Sequence, residues 1–131
     1  MGWAMSASGY IPVERGDRKK AFAAFNKTLD KLKEGSSIII FPEGTRSEDG
    51  EIGPFKKGSN LIASRSKCPM APVTIIGSRH IIKKGSAVIT PGSVQIIISP
   101  LVEPRTDKKE NEEVLESIRE TILTTARRGA N

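Results

Sequence analysis

Ser37-Ile38-Ile39-Ile40-Phe41-Pro42-Glu43-Gly44-Thr45-Arg46-Ser47 joins an apolar run to a charged loop, and that junction decides how the rest of the chain reads. Ser37 to Phe41 shows no polar alternation, which predicts a strand covered on both faces, as in a parallel sheet. Pro42 removes a ladder donor and ends it. The loop then leaves the strand at its carboxyl end, where open α/β sheets bind ligands. Gly44 lets backbone approach a ligand, and Thr45 and Ser47 offer hydroxyls. Arg46 presents a planar donor fork able to grip a phosphate through two parallel hydrogen bonds. Glu43 either orients that arginine or accepts from a ligand hydroxyl. The plainer alternative is a solvated loop in which Glu43 and Arg46 pair at the surface for at most about 1 kcal/mol.

Working outward, the punctuation is that of alternating strands and helices. Tyr10 to Val13 is a short strand candidate with Arg15 at its exit. Asp17 occupies an N-cap position, and Phe22, Phe25, Leu29 and Leu32 recur at intervals of three and four, predicting a helix from Arg18 to Glu34 stopped by Gly35. A second helix is expected from Lys57 to Ser66, closed by Cys68-Pro69. Ala71 to Ile76 and Val94 to Ser99 read as strands, with a weaker β segment at Ala87 to Thr90. Asp107 with Glu110 resembles a capping box. The helix after it, Glu110 to Arg128, buries Val114, Leu115, Ile118, Ile122 and Ala126. This order predicts an α/β fold with a mainly parallel mixed sheet flanked by helices.

At 131 residues the chain is expected to form a single domain over 1–131. Its composition is that of a globular protein whose core needs no disulfide or metal staple. Cys68 is the lone cysteine and reads as structural, so no internal disulfide forms. No apolar run approaches the roughly 20 residues that span a bilayer, and no secretory signal is indicated. The net charge of +6 is uneven: residues 61–102 hold 5 basic and no acidic groups. Such an excess suits nucleic acid, an anionic membrane surface or a phosphorylated small substrate. Nucleic acid fits least, because one Trp, one Tyr and four Phe leave little for bases to stack on. Among the remaining cations, Arg15 can share an anion with Arg46 or simply pair with Glu14 or Asp17. Phe55-Lys56-Lys57-Gly58 places two lysines before a helix N-terminus, which itself attracts anions.

Taken together, these blocks resemble the acyltransferases that acylate glycerol phosphates, most closely the 1-acyl-sn-glycerol-3-phosphate acyltransferases. Phe41 to Ser47 is similar to the family's F-P-E-G-T-R-S signature, and Tyr10 to Arg15 to its short block ending in arginine. Ala71 to Ile76 is similar to its V-P-V-x-I-type strand, while Gly2 to Met5 and Phe55 to Gly58 resemble flanking stretches. The resemblance implies a glycerol-phosphate acyltransferase-like fold. It assigns substrate binding to Arg15, Glu43, Gly44, Thr45, Arg46, Ser47 and Lys56, and the acyl-donor side to Pro72. It also implies lysophosphatidic acid as acceptor, acyl-CoA or acyl-carrier protein as co-substrate, no metal or other cofactor, and a membrane-associated enzyme at the cytoplasmic face.

One part of the family pattern is missing. Its chemistry rests on His-x-x-x-x-Asp upstream of these blocks, whereas the only histidine here is His80, downstream, with Gly85 five residues on. No catalytic residue is therefore assigned within this chain, which resembles the C-terminal part of a longer, N-terminally truncated acyltransferase domain and is expected to be inactive alone. The alternative expectation is a non-catalytic module that holds phospholipid phosphate or a partner.

Overall fold

The structure, a computed structural model, describes residues 9–13, 16–82, 85–86, 88–105 and 107–129. They belong to two compact units, Met1–Ile40 and Phe41–Asn131.

The first unit is organised by helix α1 (Arg18–Lys33). The Asp17 carboxylate accepts from the backbone N–H groups of Lys19 at 2.9 Å and Lys20 at 3.1 Å, satisfying two donors that the first helical turn leaves orphaned. At the other end the Gly35 N–H donates to the Leu32 carbonyl at 3.1 Å and the Ser36 N–H to that of Lys31 at 3.0 Å. This is a Schellman stop, and Gly35 permits it by adopting φ +86. The expected apolar stripe is only half-buried: Phe22 stays 64% exposed, stacked at 6.2 Å on Phe25, while the small Ala24 and Thr28 are the buried positions. Thr28 is accommodated because its hydroxyl donates to the Ala24 carbonyl at 2.9 Å. The strands predicted at Tyr10–Val13 and Ser37–Phe41 do not form. No described segment pairs with either, and an apolar run without ladder partners is not a strand.

The second unit contains α2 (Lys57–Ser66), β1 (Val73–Ile76), α3 (Ser78–Ile81), β2 (Gln95–Ile98) and α4 (Lys108–Gly129). The sheet departs from the sequence expectation. Instead of a mainly parallel sheet, β1 and β2 form an antiparallel pair in the register Val73↔Ile98 to Ile76↔Gln95. A parallel partner needs a crossover long enough to carry the chain back to the same end of the sheet. Here α3 is a single turn and an antiparallel bridge pairs Ile82 with Ile89 between the strands, and β2 returns alongside β1 in the opposite sense. Of the weak β segment expected at Ala87 to Thr90, Ala87 lies outside the described residues, and among the rest Ile89 forms that bridge. Beyond the strands, Met70 and Val102 exchange backbone hydrogen bonds at 2.9 and 2.8 Å and lengthen the ribbon.

Helix α4 packs on β1 and on α2, and it buries Leu115 and Ile118 as the periodicity predicted. Thr74, on the helix-facing side of the ribbon, is 1% exposed. Its neighbours Val73, Ile75, Ile96 and Ile98 share the opposite face and stay open to solvent. The start of α4 is capped by Asp107, which accepts from the N–H of Lys109 at 2.8 Å and of Glu110 at 3.2 Å. Asn111 is 3% exposed. It ties the incoming chain to the helix by accepting from the Arg105 N–H at 3.1 Å and donating to the Arg105 carbonyl at 2.7 Å. Among the described residues no helix is long and apolar enough to cross a membrane.

Candidate functional site

Residues 41–56 form a closed loop whose two ends are tied together. The Lys56 N–H donates to the Pro42 carbonyl at 2.8 Å, and the Ser59 hydroxyl reaches the same oxygen at 3.3 Å from the first turn of α2. At the signature end the Gly44 N–H donates to the Phe41 carbonyl at 3.0 Å, closing a tight turn after which Gly44 adopts φ +67. A Cβ at Gly44 would lie 3.4 Å from the Lys56 Cγ, an ordinary contact, so it is the positive φ that favours glycine here.

The loop encloses an open cleft of about 340 Å³. Glu43, Thr45, Arg46 and Ser47 line one side. Gly53, Pro54 and Lys56 line the return, with Glu48, Asp49 and Glu51 at the tip. The structure thus brings together five of the residues singled out in the sequence, with Gly44 shaping the turn between them. Pro72 is elsewhere: it is buried ahead of β1, where its carbonyl accepts from the Ser99 N–H at 2.9 Å. Arg15 lies outside the described residues.

The decisive local feature is what Glu43 does. The surface pair with Arg46 does not form. The Glu43 carboxylate accepts instead from the Gly53 N–H at 2.8 Å, across the loop, in a partly buried setting. Ser47 plays a similar part by accepting from the Gly50 N–H at 2.9 Å. Two signature side chains are therefore spent on holding the loop. The Arg46 guanidinium and the Lys56 ammonium make no ion pair or side-chain hydrogen bond with any described residue. Arg46 is exposed at the cleft with its donor fork unused, which suits a ligand bearing paired anionic oxygens. Glu48, Asp49 and Glu51 also line the cleft, so cations and carboxylates share its rim. No group of His, Cys, Asp and Glu among the described residues could hold a metal ion.

Comparison with known proteins now bears on these residues. The Acyltransferase family model matches residues 1–76. The chain belongs to the acyltransferase family. Within it, the chain is 40% identical over 99 residues to a chloroplastic 1-acyl-sn-glycerol-3-phosphate acyltransferase of Brassica napus, covering 75% of this chain and 29% of the relative. It is 34% identical over 100 residues to the 1-acyl-sn-glycerol-3-phosphate acyltransferase of Pseudomonas aeruginosa, covering 76% and 38%. The crystal structure of the 1-acyl-sn-glycerophosphate (LPA) acyltransferase PlsC from Thermotoga maritima superimposes with a TM-score of 0.81 at 33% identity. That match covers 97% of this chain and 50% of PlsC. This acyltransferase chain thus spans half of the solved relative or less than half of the curated ones cited.

Two residues of the site carried no sequence signal. Arg79, in the single turn of α3, donates from both terminal nitrogens to the carbonyls of Glu48, at 2.8 Å, and Asp49. Arg119, on α4, donates from Nε to the Gly53 carbonyl at 3.4 Å and pairs with Glu116 at 3.1 Å. Their targets lie 30 or more residues away, beyond the reach of any local pattern.

Proposed function

We propose that this chain supplies the glycerol-phosphate-binding loop of a 1-acyl-sn-glycerol-3-phosphate acyltransferase. The reaction moves a fatty acyl group from acyl-CoA or acyl-carrier protein to the sn-2 hydroxyl of 1-acylglycerol 3-phosphate, giving phosphatidate, at the cytoplasmic face of a membrane. The observation that carries this reading is the Arg46 fork, unpaired among the described residues and lining the same cleft as Lys56, in a loop whose carboxylate Glu43 is occupied by the Gly53 N–H. A fork with no partner among the described residues has its hydrogen-bonding capacity available for a phosphate.

Within that reaction the loop's part is to bind and orient the acceptor, and no residue of this chain is assigned to proton transfer. His80 is exposed and has no carboxylate partner among the described residues. Without a positioned general base, typically worth 10²- to 10⁴-fold, the barrier rises by about 3 to 5.5 kcal/mol. The isolated chain is therefore expected to bind phosphate and to transfer no acyl group at a useful rate.

The test is thermal unfolding with and without glycerol 3-phosphate. The ligand raises Tm of the wild-type chain, and Arg46→Ala abolishes the shift; a shift of equal size in the variant removes Arg46 from the site. Turnover of acyl-CoA and lysophosphatidic acid by the isolated chain at an ordinary enzymatic rate refutes the assignment of the base elsewhere.

A further inference from the structure

Two arginines outside the signature touch the loop only through its backbone, and each touches a segment that in turn holds a signature side chain. Arg79 forks onto the Glu48 and Asp49 carbonyls, immediately before Gly50, whose N–H donates to the Ser47 hydroxyl at 2.9 Å. Arg119 reaches the Gly53 carbonyl, and the N–H of the same residue donates to Glu43 at 2.8 Å. The glycine at position 50 belongs to this arrangement: it adopts φ +95, which favours glycine, and a Cβ there would lie 3.0 Å from the Arg79 Cδ, so the arginine lies tight across the turn. From opposite stretches of the chain, one cation follows β1 and the other sits midway along α4. Both are aimed at carbonyl oxygens and neither lines the cleft of about 340 Å³.

We infer that Arg79 and Arg119 are positioning residues for the phosphate loop. They pin the outer stretch, residues 48–53, so that its N–H groups fix Ser47 and Glu43 and leave Arg46 aimed at the ligand. This inference rests on the phosphate-binding reading of the loop. A planar fork serves the purpose because its donors are preorganised relative to one another, so two carbonyls held by one guanidinium cannot move independently. Lysine keeps the charge and loses that constraint.

The experiment measures glycerol 3-phosphate affinity by calorimetry, and loop geometry by the amide resonances of Gly44, Gly50 and Gly53. It compares the wild-type chain with Arg79→Lys, Arg119→Lys, Arg46→Ala and, as an exposed cation away from the loop, Arg65→Lys. All are measured well below their melting temperatures. Positioning predicts that Arg79→Lys and Arg119→Lys each weaken binding about fivefold or more with net charge unchanged, and move the Gly50 or Gly53 resonance, while Arg65→Lys binds as wild type. Wild-type affinity in both lysine variants, whatever their Tm, overturns the inference, because a purely structural arginine would lower Tm alone. The two readings separate cleanly. If Arg46→Ala abolishes binding and the lysine variants do not weaken it, the phosphate loop stands and the positioning role falls. If Arg46→Ala binds as wild type, the phosphate reading itself fails and the inference with it.

Discussion

Replacing Gly77 with Ala tests the antiparallel ribbon that displaced the expected parallel sheet. Gly77 follows β1 with φ +89, and an added Cβ would stand 2.5 Å from the Ser93 carbonyl oxygen, just ahead of β2. Two costs follow. Forcing an L-residue into the left-handed region costs about 1–2 kcal/mol. Overpacking against backbone, which cannot swing away as a side-chain tip can, costs about 1–3 kcal/mol more. The sum, about 2–5 kcal/mol, is a large share of the 5–15 kcal/mol that holds a typical domain together. Gly85 supplies the internal control: it has φ +78 and nothing within 4 Å of an added Cβ, so Gly85→Ala carries only the backbone cost. Urea unfolding of both variants, followed by circular dichroism, gives the difference. Gly77→Ala should be the less stable by at least about 1 kcal/mol, with a similar denaturant slope. Equal stabilities would mean that Ser93 does not lie across from Gly77 and that the ribbon is paired differently.

Thr74 is 1% exposed and its hydroxyl has no hydrogen-bond partner among the described residues, so Thr74→Val should raise stability by about 1 kcal/mol in the same urea assay; a loss would show that the hydroxyl is satisfied. Asn111→Ala removes both part-buried hydrogen bonds to the Arg105 backbone, which should cost about 1–2 kcal/mol; a change below about 0.5 kcal/mol would place the Arg105 backbone in water.

Much of the site was legible because it is contiguous. Six of the seven residues from Phe41 to Ser47 carry recognisable chemistry, the turn needs only Gly44, and Lys56 joins because the loop closes at the start of a helix that the periodicity also located. Helix ends were equally readable, since Asp17, Gly35 and Asp107 act within four residues of themselves. The reading failed where a residue's partner was chosen at long range. Ile38 to Phe41 looks like a doubly covered strand, yet Ile39 is 85% exposed: apolar composition records a preference for burial and says nothing about which segment provides it. Phe22 fails for the same reason.

What the residue order alone determined is therefore local: helix positions and caps, the turn that ends at Gly44, and the cluster of charged and hydroxyl side chains that follows Pro42. These interactions close over a few residues, so their entropy cost and their partners are both written nearby. Tertiary structure alone decided that β2 runs against β1, that Glu43 serves Gly53 instead of Arg46, and that Arg79 and Arg119 hold the loop from outside. Each of those choices is a competition among distant groups for the same hydrogen bond. It is settled by which one packing delivers within about 3 Å, a quantity no window of sequence contains.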